Sequence, residues 1–206
     1  MKLIALHNNY AAYNNCRQNT LKEDEVETML YTMPDTALLI NNRPFFVPDF
    51  AQPCTAELQL VVRICRLGRS ISERFAHRYF DALTTAITFT AQNVFENLRQ
   101  KGAPWEISKG FDGAAAVGEF ISVAELPDWE TCTFSMHRDG ELLQQGCAKD
   151  MLMNVYRMIA YVSQFYTLRQ GDLLFTGCPV APVEVQMNQR LQAAIEHRTL
   201  LAFNVK

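Results

Sequence analysis

The chain has 206 residues, 49% apolar and 20% charged, with a formal net charge of −3. That is ordinary globular composition with enough length for a sizeable core, and the charge gives no electrostatic ground for a nucleic acid or an anionic membrane as partner. Its apolar start, Met1 to Leu6, stops at His7-Asn8-Asn9, too short for a signal peptide or a membrane span, so a cytoplasmic protein is expected. Cys16, Cys54, Cys65, Cys132, Cys147 and Cys178 form no C-x-x-C pair and no Cys/His metal spacing, and in a reducing compartment they read as small buried hydrophobes.

Residues 1–6 predict an opening strand, followed by His7-Asn8-Asn9-Tyr10-Ala11-Ala12-Tyr13. The acidic run Lys22 to Glu27 reads as a solvated loop or first helical turn. Asn41-Asn42-Arg43-Pro44 is a turn signal. From Thr55 to Ile64 the pattern alternates: Leu58, Leu60, Val62 and Ile64 take one strand face, while Thr55, Glu57, Gln59, Val61 and Arg63 take the other. A helix is expected from Glu73 to Phe80 with Phe75, Ala76, Tyr79 and Phe80 inward, then an apparent strand in the stretch Thr84 to Phe95. Ala114 to Gly118 leads into another strand, and Leu126 to Trp129 reads as a loop.

The most informative stretch runs from Phe134 to Pro179. Asp139-Gly140 accepts the positive φ angles of a tight hairpin turn. Asp150 is expected to cap a helix whose stripe is Met151, Leu152, Val155, Met158, Ile159, Val162, Phe165 and Tyr166. Gly171-Asp172 turns into a strand, Leu173-Leu174-Phe175, which ends at Thr176-Gly177-Cys178-Pro179. Gln192 to Glu196 reads as strand or short helix, and Leu200 to Val205 as a closing strand.

This order of elements resembles the fumarylacetoacetate hydrolase (FAH) family of metal-dependent hydrolases, isomerases and decarboxylases. The resemblance covers most of the chain, thinly over 1–50 and better over 51–206, and implies one α+β, mainly β domain. Its fold would be a rolled mixed β-sheet with a few short helices, pairing as a homodimer. Trp105, Lys109, Phe111 and Asp112 match the family's Q-W-x-x-x-K-x-F-D, and Glu57 matches the second glutamate of E-x-E-L. By resemblance, Lys109 reaches toward the bound metal and the substrate's oxyanion, and Glu57 is a ligand of Mg²⁺ or Mn²⁺. Tyr13 stands where the family has its catalytic histidine, Thr55 and Thr88 where it has two further metal-binding carboxylates, and Gln92 where it has a substrate-contacting arginine. Cys178 replaces the threonine of T-G-T-P, whose first threonine is Thr176; Gln92, Thr176 and Cys178 are thus the candidate substrate-binding positions. Since Mg²⁺ needs anionic oxygen ligands to give up its waters, weak or absent metal binding is expected.

Three functions follow from these residues. One is an enzyme acting on a small oxo acid such as an acylpyruvate, with Lys109 or a metal stabilising the enolate. The second is a catalytically degenerate binding or scaffold protein on the same fold. The third is metal-free chemistry using Cys178 or Lys109.

Overall fold

The computed structural model describes residues 1–16 and 29–206; the acidic run Lys22 to Glu27 lies outside them. In chain order the elements are β1 (Leu3–His7), α1 (Ala11–Cys16), β2 (Met29–Met33), β3 (Leu38–Leu39), β4 (Cys54–Ile64), β5 (Phe80–Ala91), α2 (Gln92–Gln100) and β6 (Ala115–Val117). There follow β7 (Ile121–Ser122), β8 (Thr133–Arg138), β9 (Glu141–Cys147), α3 (Val155–Phe165), β10 (Leu173–Phe175), β11 (Val183–Glu184), β12 (Arg190–Ile195) and β13 (Arg198–Asn204). The architecture is the expected mainly β one, a curled mixed sheet with short helices. A nine-stranded sheet runs β2-β1-β10-β4-β5-β6-β3, with β11 on β4 and β7 on β5; a four-stranded sheet runs β13-β12-β8-β9. Two pairings, β1 with β10 and β3 with β6, are parallel.

β4 and β5 are the spine, paired antiparallel from Cys54↔Ala91 to Ile64↔Phe80. The alternation of β4 puts Leu58, Leu60, Val62 and Ile64 into the larger core, which draws on residues from Ile4 to Val205. The opposite face is also covered: Val61 joins a smaller core with Leu3, Ala5, Tyr31, Leu173 and Phe175. Each fully buried side chain of this kind contributes about 1.5–3 kcal/mol of burial. Phe89 on β5 stacks flat on Phe45 at 3.5 Å and meets Phe203 of β13 edge-on at 6.1 Å, which ties the two sheets together.

The Asp139-Gly140 hairpin forms as expected, with φ of 52° and 91°. Two helix expectations are corrected. Asp150 does not cap α3; it closes a 3-10 turn, Ala148–Asp150, and the cap is Asn154, whose side chain accepts from the Arg157 amide at 2.9 Å. Met151 to Met153 stay out of the helix because Asn9 holds them: Leu152 N–H donates to the Asn9 carbonyl, and Met153 N–H to Asn9 Oδ1 at 2.8 Å. Residues 73–78 form a 3-10 helix, and Phe75 points outward, 38% exposed, with the guanidinium groups of Arg74 and Arg78 over its ring. Cys54, Cys132 and Cys178 are buried as expected, whereas Cys65 and Cys147 are half-buried.

Candidate functional site

The covered face of β4 that carries Val61 also carries Glu57 and Gln59, because side chains two apart share a face. Both are buried, at 2% and 1% exposure, so each needs a partner. Glu57 finds one across 52 residues. A 3-10 turn, Glu106–Ser108, ends at Lys109 and sends its side chain inward. Lys109 Nζ lies 2.9 Å from Glu57 Oε2 and 2.7 Å from Thr90 Oγ1. The Tyr13 hydroxyl, brought in by α1, donates to Glu57 Oε1 at 3.3 Å.

Beside this pair runs a second buried network. Gln59 Nε2 donates to Thr88 Oγ1 at 2.8 Å, and Gln59 Oε1 accepts from Gly177 N–H at 3.1 Å. Thr88 Oγ1 in turn donates to the Glu57 carbonyl at 3.4 Å. Burial, followed by the Glu57 carboxylate, raises the Tyr31 phenol well above its ordinary value, while a hydrogen bond with Gln59 works the other way. Gly177 has φ of +95°, and a Cβ there would sit 3.1 Å from the Leu6 carbonyl oxygen, so glycine is what lets the chain pass between β1 and Gln59.

Aromatic rings cover the ion pair. Lys109 Nζ is 5.6 Å from the centre of the Phe95 ring. His7, at the end of β1 and only 5% exposed, meets Tyr13 at 5.3 Å, Trp105 at 5.9 Å and Phe95 at 6.3 Å. A cavity of about 340 Å³ opens on the far side of these rings; His7, Asn8, Phe95, Arg99 and Trp105 line it, and Glu57 and Lys109 do not.

The structure therefore brings together three of the sequence-predicted positions, Glu57, Lys109 and Tyr13, with Thr88 adjoining. Gln92 is set apart from them, whereas Thr176 and Cys178 flank the Gly177 that Gln59 contacts, and Cys178 lies within electrostatic reach of Glu57 and Lys109. Gln92 begins α2 and its amide donates to Glu96 one turn on, at 2.8 Å. Thr176 is buried, its carbonyl accepting from Asn9 Nδ2 at 2.9 Å and its hydroxyl 3.3 Å from that of Tyr10. Cys178 donates to the Val180 carbonyl at 3.0 Å, and burial, aided by the Glu57 carboxylate, pushes its thiol up, away from a reactive thiolate. Asp112 is exposed. Sequence reasoning missed His7, Gln59 and Arg99. Gln59 was within reach, since the strand alternation already set it on the face of Glu57.

The family resemblance implies Mg²⁺ or Mn²⁺ at Glu57, but the donor set that the described residues offer there does not fit a hard divalent ion. Among the described residues no three His, Cys, Asp or Glu side chains converge. Glu57 already faces an ammonium group at 2.9 Å, and Thr55, two positions before it, offers a neutral hydroxyl that is buried with no hydrogen-bond partner among the described residues. Such cations are held by several anionic or carbonyl oxygens, and a lysine in contact with the one carboxylate opposes a second positive charge.

Comparison with known proteins agrees with this placement of the fold. The family profile described as fumarylacetoacetate (FAA) hydrolase C-terminal matches residues 2–205. Mitochondrial oxaloacetate tautomerase FAHD1 of Mus musculus is 28% identical over 204 residues, covering 99% of this chain and 91% of its own. A crystal structure assigned to the fumarylacetoacetate hydrolase family, from Yersinia pestis CO92, superposes with a TM-score of 0.92 at 30% identity, over 100% of this chain and 93% of that one. Fumarylpyruvate hydrolase from Pseudomonas aeruginosa, crystallised with Mn²⁺ and pyruvate, shares the fold with a TM-score of 0.92 at 24% identity, over 100% and 89% of the two chains.

Proposed function

The chain belongs to the fumarylacetoacetate hydrolase family, and we propose that it acts on small 2-oxo acids of the oxaloacetate or acylpyruvate kind without a divalent metal, the Lys109 ammonium serving as the acid at the carbonyl oxygen. The observation that carries this is the direct contact of Lys109 Nζ with Glu57 Oε2 at 2.9 Å. Keto–enol tautomerisation needs one base and one acid, and no net proton. Glu57 takes the proton from the carbon beside the ketone, that C–H pair becomes the C=C bond, and Lys109 delivers a proton to the carbonyl oxygen as its π pair becomes an O–H bond. The proton on Glu57 then crosses to the Lys109 amine, and the ion pair is restored. Thr90 and Tyr13 hold the two groups in place through their hydrogen bonds. Access requires the His7, Phe95 and Trp105 rings to part.

The test is ketonisation of oxaloacetate, and hydrolysis of an acylpyruvate, by protein treated with EDTA. Turnover unchanged by EDTA or added Mn²⁺, and lost in Glu57→Gln and Lys109→Met, is expected. A rate that depends on Mn²⁺ overturns the metal-free reading. No turnover in any condition leaves the second reading, a non-catalytic oxo-acid binder, which is favoured by the 2% exposure of both Glu57 and Lys109. A homodimer belongs to the same proposal, supported by the large apolar side chains left at the surface, among them Phe46 at 65%, Ile107 at 70% and Met187 at 68% exposure. Light scattering that returns the 23.5 kDa of one chain removes it.

A further inference from the structure

The net charge of −3 averages over an uneven surface. Between Arg66 and Arg78 stand Arg66, Arg69, Arg74 and Arg78 against one acid, Glu73. All four arginines are exposed, and none is in an ion pair among the described residues. The fold sets them side by side. Cys65 N–H donates to the Tyr79 carbonyl at 2.9 Å, so the turn that carries Arg66 and Arg69 lies along the end of the 3-10 helix that carries Arg74 and Arg78. The turn is pinned from behind: Gly68 and Leu168 exchange two backbone hydrogen bonds, at 3.0 and 2.8 Å, and Ser70 N–H donates to the Ser163 carbonyl of α3 at 2.9 Å. The first of these contacts also brings up Arg169, exposed as well. Of the acids close by in the chain, Asp81 is engaged by Arg63 and Asp172 by Lys2.

Two apolar side chains stand among these cations. Leu67, in the turn between Arg66 and Arg69, is 66% exposed. The Phe75 ring has the Arg74 guanidinium 4.4 Å and the Arg78 guanidinium 5.0 Å from its centre. The ring attracts each cation, but the two guanidinium groups lie within a Debye length of each other, about 10 Å at 0.1 M salt, and repel. An oxyanion shared between them removes that repulsion, and the guanidinium fork matches phosphate oxygens. With both cations against it, the Phe75 ring is already engaged and is a poor platform for a nucleic-acid base, and an exposed leucine adds nothing to base stacking. A bilayer of anionic lipids uses every part: headgroup phosphates for the arginines, and the boundary beneath them for Leu67. We propose that this surface docks the protein on an anionic lipid bilayer, with Leu67 entering the headgroup layer. The proposal is independent of the reaction proposed above.

Flotation of the full chain with mixed phosphatidylcholine–phosphatidylserine vesicles, and with phosphatidylcholine vesicles alone, tests this. The protein is expected to float with the mixed vesicles only, and to be released in 1 M salt, where the Debye length is about 3 Å. Each arginine at the lipid surface is worth about fivefold in partitioning, so Arg74→Gln together with Arg78→Gln weakens binding about 25-fold. Leu67→Ser weakens it by at least about fourfold, the share of one CH₂ group withdrawn from the acyl boundary. Removing two exposed arginines outside this segment, Arg43→Gln together with Arg190→Gln, leaves binding within about twofold, with circular dichroism unchanged in every variant. Flotation with neither kind of vesicle, or equally with both, overturns the docking. So does a loss under about threefold in the Arg74 and Arg78 variant, or an equal loss in the Arg43 and Arg190 control. An arginine-dependent complex with single-stranded RNA, and none with vesicles, overturns it in favour of a nucleic acid.

Discussion

Removing the ammonium of Lys109 while leaving Glu57 in place tests the centre of this structure. The two side chains are 2% and 3% exposed and 2.9 Å apart. At an effective dielectric near 20 their attraction is about 6 kcal/mol. Lys109→Met forfeits that and leaves a buried carboxylate facing an apolar chain; Glu57 limits the damage by taking up a proton, so the expected net loss is about 3–5 kcal/mol. For a chain of this length that lowers Tm by roughly 6–20 °C. The double variant Glu57→Gln, Lys109→Met has no charge to strand and should recover at least half of the loss, because apolar replacement of a whole buried pair is often close to neutral. Thermal and urea melts of the parent, Lys109→Met, Glu57→Gln and the double variant, each with and without Mn²⁺, give the answer. A metal bound at a hundredfold excess over its Kd would stabilise by about 2.7 kcal/mol, or roughly 5–11 °C. A loss under about 1 kcal/mol in Lys109→Met, a double variant no better than the single, or a Tm rise of that size when Mn²⁺ is added to the parent protein would refute the reasoning.

Three further outcomes follow from other parts of the molecule. Asn9 is fully buried, and its side chain bonds the Met153 carbonyl and amide and the Thr176 carbonyl; Asn9→Ala should cost about 2–4 kcal/mol and speed amide exchange at Met153, as measured by hydrogen–deuterium exchange. Asn154→Ala removes the cap of α3 and should cost about 1 kcal/mol in a urea melt. Burial pushes the Cys54 and Cys132 thiols up to about 12, so at pH 8 each is protonated, with a thiolate fraction on the order of 10⁻⁴; native-state alkylation read by mass spectrometry should leave them, and Cys178, unmodified. Rapid labelling of Cys178 would reopen thiol chemistry at that position.

The parts that were legible in the sequence are those fixed by neighbours along the chain. The alternation in β4 and the Asp139-Gly140 turn are local physics, and both formed as read. The start of α3 was not legible, because Asp150 is an acceptable cap in isolation; it loses to a contact 144 residues distant, Asn9 with Met153. The same holds at the site. Family resemblance singled out Glu57, Lys109 and Tyr13, which do converge, but a motif match carries no distances, so it did not reveal that carboxylate and ammonium touch. Gln92 was singled out only as standing in the place of the family's arginine, and helical geometry turns it toward Glu96. His7 and Arg99 had no signal beyond a polar residue ending a strand and a basic residue ending a helix; only the folding of α2 against Trp105 gives them a shared cavity.

The parallel pairing of β1 with β10, Leu3 opposite Leu173 and Ala5 opposite Phe175, has a consequence for how the protein is made. β1 must wait for β10, which is made some 170 residues after it. At about 5–20 residues per second, some 170 residues of synthesis separate them by roughly 10–30 s on the ribosome. Throughout that interval one hydrogen-bonding edge of β1, with Ile4 and Leu6 still uncovered, is open to whatever meets the nascent chain.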